Sequence, residues 1–203
     1  MKKIKLFLGA LLLFSAFGLQ AQVTNVGAGA AFMGSIRFKM EGANDHGTLY
    51  VNNYRPLLGA TAFYEKSGSG ASHMFELSYS TGALQNVQQG EYYIEGWDPA
   101  TFESAKVISG FYYLGFNNRS AQRFQLPFYA GIGISYTEAN PITYLGWNFG
   151  AKLRAKYYIT NNIGIWAGAS ATLGFGNAYV TTDETRSVTQ RLLALEAGIT
   201  FSL

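Results

Sequence analysis

Seven stretches of this chain alternate apolar with small or polar residues at a period of two. Successive side chains of a strand point to opposite faces, so the pattern predicts strands with one apolar face each. In "FQLPFYAGIGISY", residues 124–136, Phe124, Leu126, Phe128, Ala130, Ile132, Ile134 and Tyr136 oppose Gln125, Tyr129, Gly131, Gly133 and Ser135. Pro127 cannot donate to a ladder, which places it near the end of pairing or at a bulge. Residues 143–158 set Leu145, Trp147, Phe149, Ala151, Leu153, Ala155 and Tyr157 against Asn148, Lys152, Arg154 and Lys156. After the tight turn "ITNN", residues 163–175 alternate from Ile163 to Phe175, and a last run, 193–203, sets Leu193, Leu195, Ala197, Ile199, Phe201 and Leu203 against Glu196 and small residues.

The first half repeats the pattern less cleanly. Residues 26–38 put Val26, Ala28, Ala30, Phe32, Ile36 and Phe38 on one face, with Ser35 and Arg37 on the other. A weaker run, 57–66, follows, with Leu58, Ala60, Ala62 and Tyr64 on its apolar side, and 73–81 sets Phe75, Leu77 and Tyr79 against Glu76, Ser78 and Ser80. Residues 106–116 are apolar on both faces, which predicts a strand without assigning its inside.

Most of these runs are 10 to 13 residues long, enough to cross a bilayer at a tilt. The connections are 39–56, 67–72, 82–105, 117–123, 137–142, 159–162 and 176–189; three of the four odd-numbered ones are long and all the even ones short. With both termini on one side, long loops emerge at one end and short turns at the other, as in bacterial outer-membrane barrels.

Residues 1–21 run from Lys2, Lys3 and Lys5 through "LFLGALLLFSAFG" to "LQA", the layout of a secretory signal peptide, with cleavage after Ala21 or, alternatively, after Gly18. The mature domain is then residues 22–203. The leader takes three of the 15 basic residues and none of the 12 acidic ones, leaving 12 of each, so the balance gives no case for a nucleic-acid partner. With no cysteine there are no disulfides, thiolate metal sites or Cys nucleophiles. No metal or cofactor is expected.

A period of two does not say which face is inside. A secreted lipocalin-like barrel would turn its apolar face inward around a ligand. The opposite arrangement is favoured because the apolar faces extend along whole strands and end in aromatics: Phe38, Tyr79, Tyr136 and Trp147 toward the outer end, Phe75, Phe124, Tyr157 and Phe201 toward the periplasmic end. The other face is rich in Gly and small residues, leaving a narrow lumen room for a few long side chains. Closing the last strand on the first hides both sheet edges. The expected fold is an eight-stranded antiparallel up-and-down transmembrane β-barrel.

"LPFYAGIGISY", "GWNFGAKLRAKYYITNNIGIWAGAS" and "EAGITFSL" resemble the small bacterial outer-membrane β-barrel family that includes the OmpX-like proteins and the OmpA membrane domain. The resemblance implies an outer-membrane location, contact with outer-membrane lipid and lipopolysaccharide, and insertion by barrel-assembly machinery that reads the last strand, here through Phe201 and Leu203.

Three functional readings follow. First, Arg37, Glu76, Lys152, Arg154, Lys156 and Glu196 point into the lumen. Counting from strand ends puts Glu76 and Arg154 about four residues above the rim, and Glu196 and Lys152 about seven, which pairs Glu76 with Arg154 and Glu196 with Lys152. Such pairs form a structural plug or, alternatively, an ion gate. Second, the loop "GALQNVQQGEYYIEGWDPATFESA" interleaves Glu91, Glu95 and Asp98 with Tyr92, Tyr93 and Trp97, a candidate contact surface for an extracellular partner or an ordinary solvated loop. Third, a lipid A-modifying enzyme or protease needs a His beside a Ser or carboxylate near the outer leaflet. His73 falls at the periplasmic end with Phe75 in the Ser position, and His46 adjoins Asp45 in the first outer loop, where Asp183 or Glu184 of the last loop could approach it. The expectation is no enzyme.

Overall fold

The computed structural model describes residues 23–41, 48–53, 56–68, 71–83, 87–89, 104–116, 123–139, 142–180 and 185–203. The leader, His46, Asp183, Glu184 and the 91–98 contact residues lie outside them. The described residues form eleven strands: β1 (Val23–Glu41), β2 (Thr48–Asn53), β3 (Leu57–Ser67), β4 (Ala71–Ala83), β5 (Val87–Gln89), β6 (Ser104–Phe116), β7 (Phe124–Gln125), β8 (Phe128–Ala139), β9 (Ile142–Tyr158), β10 (Ile163–Val180) and β11 (Thr185–Ser202).

Eight of them close a ring of antiparallel neighbours in the order β1-β3-β4-β6-β8-β9-β10-β11, with β11 paired back onto β1. The closing ladder runs from Asn25 opposite Ser202 to Met40 opposite Val188. Beyond the ladder, Leu203 N donates to Thr24 O at 2.8 Å, and Ser202 N donates to Asn162 O in the neighbouring turn at 2.8 Å. A closed ring leaves no edge unpaired, which is what a spanning sheet requires.

The three short strands explain where simple alternation fails. β2 pairs with the far half of β1 and leads into β3, so β2 and β3 act as one interrupted strand. β5 pairs in turn with β2. β7 and β8 share one register against β9, Phe124 opposite Tyr157 and Phe128 opposite Leu153. Pro127, lacking an N–H, interrupts the ladder between them, while its carbonyl still accepts from Arg154 N at 3.1 Å.

Sidedness is unambiguous. Leu77, Trp147 and Leu195 are 69%, 68% and 63% exposed on the outside, whereas Lys152, Arg154 and Lys156 are at most 1% exposed inside. This is the inverse of a lipocalin-like barrel. For β6 the inward face is Ala105, Val107, Ser109, Phe111 and Tyr113, with Ile108 and Phe116 outside.

Two features of the long strands bear on the sequence expectations. The ladder between β1 and β11 shifts register between Met33 and Ser35, so Gly34 is an extra residue on β1. Arg37 consequently pairs opposite Arg191, which is exposed, and Phe38 opposite Gln190, which is buried. The unbroken alternation that assigned Arg37 to the lumen and Phe38 to the outer girdle ends at the bulge; the side chains of both lie outside those described. The connections at the long-loop end are also shorter than expected, because β1, β10 and β11 run for 19, 18 and 18 residues. At roughly 3.3 Å per residue and a tilt of about 40° such strands rise roughly 45 Å, well past an apolar band of about 25 Å.

Candidate functional site: a charged plug across the lumen

β9 supplies the cations. Lys152, Arg154 and Lys156 lie two residues apart, so all three enter the lumen from one strand, beside outward Ala151, Leu153 and Tyr157. The carboxylates come from elsewhere in the ring: Glu65 on β3, Glu76 on β4 and Glu196 on β11. In a ring of eight, β3 stands directly across from β9, so these pairs tie strands that share no ladder.

Arg154 Nη2 donates to Glu76 Oε2 at 2.7 Å and lies 3.5 Å from Glu196 Oε2. Lys152 Nζ bonds Glu76 Oε1 and donates to Glu196 Oε2 at 2.8 Å. Ser170 Oγ donates to Glu196 Oε1 at 3.2 Å. The structure therefore brings together both expected pairs, Glu76 with Arg154 and Glu196 with Lys152, and cross-links them into one four-membered cluster. Toward the short-turn end Lys156 bonds Glu65, whose other oxygen accepts from Tyr129 OH at 2.8 Å. Among the described residues the buried formal charges are Glu65, Glu76 and Glu196 against Lys152, Arg154 and Lys156, three of each sign. A neutral, hydrogen-bonded set is the arrangement in which ions at membrane depth recover their desolvation cost of several kcal/mol each.

Aromatic rings complete the cluster. The Arg154 guanidinium carbon lies 4.2 Å from the centroids of both Phe63 and Trp166, and these two rings meet edge to face at 5.6 Å. Lys152 Nζ sits 5.4 Å from the Tyr113 centroid. The room for these rings comes from β1: a Cβ at Gly27 would overlap Phe63, and one at Gly29 would lie 2.8 Å from the Trp166 ring. Glycine on the lumenal face thus converts into aromatic volume around a cation.

Further toward the long-loop end the lumen holds neutral groups. Asn148 Nδ2 donates to Ser135 Oγ at 2.8 Å, Ser135 Oγ to Gln190 Oε1 at 2.8 Å, and Gln190 Nε2 to Thr137 Oγ1 at 2.6 Å. Above them Leu57, Val107, Ala139, Tyr144 and Val188 are buried. Beside Glu76 and Glu196 lies a cavity of about 30 Å³ bordered also by Ser109 and Thr172, room for a water or two rather than a conduit.

Sequence reasoning missed Glu65, Tyr129 and the Asn148–Gln190 layer. Glu65 was readable: it alternates with Thr61 and Phe63 on the inward side of β3. Of the remaining candidates, Phe201 and Leu203 are exposed on the outside. His73 faces outward on β4, where Nδ1 bonds Tyr112 OH at 2.6 Å.

No protein-family model matches the chain, and no curated protein resembles it by sequence. Solved structures do share its fold. Neisserial surface protein A is similar at 13% identity over 88% of this chain and 96% of that one, with a TM-score of 0.50. A major outer membrane protein from Thermus thermophilus matches at 12% identity over 91% and 100%, TM-score 0.57. The outer membrane protein OprG from Pseudomonas aeruginosa matches at 11% identity over 92% and 98%, TM-score 0.56. The chain has the fold of these small outer-membrane β-barrels.

Proposed function

We propose that this protein is a small, closed barrel of the bacterial outer membrane, with a structural or surface-interaction role exercised through its outer loops. The observation that carries the reading is the pairing of a continuous apolar exterior with a lumen occupied by cross-barrel ion pairs. An exterior with so many exposed large apolar side chains is stable only against lipid or a partner. A lumen so filled leaves no open aqueous route, which favours a structural plug over a gate. The partners in this reading are outer-membrane lipid and lipopolysaccharide around the wall, the assembly machinery at Phe201 and Leu203 during insertion, and an extracellular partner at the 91–98 loop. Catalysis is not part of it: His73 is engaged with the Tyr112 hydroxyl and Phe75 stands where a nucleophilic Ser would be needed.

Fractionation of cells followed by heat-modifiable gel migration tests the location. The expected result is an outer-membrane protein that runs faster unheated than boiled; a soluble fraction would overturn it. Removing residues 86–100 tests the surface role, with loss of cell or ligand binding expected from a barrel that still folds, and unchanged binding counting against it.

A further inference from the structure

Two grooves on the outward surface differ at their outer ends. One, of about 700 Å³, lies among Tyr64, Phe75, Leu77, Tyr112 and Ile134 over Gly110, and its lining contains no outward charge. Lys106, farther along β6 from Gly110, is held by Glu138 at 3.5 Å. The other, of about 600 Å³, lies on β9, β10 and β11, with Ala151 and Ala171 as its floor, Phe149, Leu173 and Leu193 as its apolar walls, and Arg191 at its outer end. Arg191 is exposed, and no described acidic group pairs with it.

The level of Arg191 is fixed by its strand. Outward positions from Leu193 on β11 to Leu203 just past its end are apolar, ten residue steps that rise roughly 25 Å at a tilt of about 40°. Arg191 is the next outward position above them, where hydrocarbon gives way to lipid headgroups. Directly across the ladder on β1 stands Arg37. An apolar groove whose polar end is a guanidinium is complementary to an acyl chain joined to a phosphate, and a guanidinium takes a phosphate in bidentate fashion.

We propose that this groove binds one phosphorylated, acylated lipid of the outer leaflet, with an acyl chain against Ala151 and Ala171 and a phosphate on Arg191. The proposal rests on the membrane reading above and adds the place and headgroup chemistry of one tightly held lipid.

The test uses the full chain folded in detergent micelles, with lipid A as the probe and bound lipid counted by native mass spectrometry. One lipid A per barrel is expected, and the same lipid stripped of its phosphates is expected to bind about tenfold more weakly, the loss of one charge-assisted contact. Arg191→Ala should weaken lipid A about tenfold, and Ala171→Phe, which fills the groove from the lipid side, should weaken it comparably. Lys106→Ala should leave it unchanged. Equal binding by Arg191→Ala, equal loss in Lys106→Ala, or full displacement by inorganic phosphate would overturn the proposal. A barrel that migrates as folded yet retains no lipid A sinks the lipid site alone, whereas failure to form any heat-modifiable barrel sinks the membrane reading beneath it.

Discussion

Toward the periplasmic side, six formal charges on β3, β4, β9 and β11 hold the lumen, with Arg154 between two carboxylates and two aromatic faces. Toward the outside, Ser135, Thr137, Asn148 and Gln190 connect β8, β9 and β11 through neutral hydrogen bonds. Both regions tie together strands that are not ladder neighbours, so both resist collapse of the ring. They differ in what the loss of one member leaves behind. In the charged half it is an ion with no counter-charge in a low-dielectric interior; in the neutral half it is an unsatisfied dipole. The plug is therefore the more brittle of the two.

The largest effect expected from this contrast is at Arg154. Arg154→Met leaves Glu76 and Glu196 sharing Lys152 alone and should destabilise the barrel by roughly 3–5 kcal/mol, measured as a shift of the urea midpoint of heat-modifiable migration. Next comes the coupling of Glu65 and Lys156. Lys156→Met should cost nearly as much, and adding Glu65→Gln should recover roughly 0.5–3 kcal/mol of the loss by removing the stranded charge; additive losses would mean that the pair does not act as a unit. In the neutral layer, Gln190→Leu removes the bonds to Ser135 and Thr137 and should cost about 1–3 kcal/mol in the same titration. A Gln190 variant weaker than the Arg154 variant would reverse the comparison. The smallest effect is at the exposed Lys106–Glu138 pair, where Lys106→Ala should change stability by less than about 1 kcal/mol.

Those parts of the fold that lie at membrane depth were legible, because a sheet with lipid on one side and a packed lumen on the other must alternate at every residue. Counting residues from the turns was enough to bring Glu76 to Arg154 and Glu196 to Lys152. Legibility failed where that constraint relaxes. The sequences of β2, β5 and the outer parts of β10 and β11 carry no clear signal of period two and read as loops. β6 resisted assignment because its inward Val107, Phe111 and Tyr113 fill the lumen and are as apolar as its lipid-facing Ile108 and Phe116. Gly34 was invisible as a bulge: one extra residue leaves composition unchanged, and only the ladder with β11 reveals it. Glu65 is obscured because the outward Leu58, Ala60, Ala62 and Tyr64 of β3 form a weaker stripe than those of its neighbours.

Closure of the lumen by the ion pairs is tested by the conductance of the purified barrel in planar bilayers. No steady channels are expected from the unchanged protein. Steady openings whose size or frequency changes in Glu196→Ala would contradict closure and make the same residues a gate.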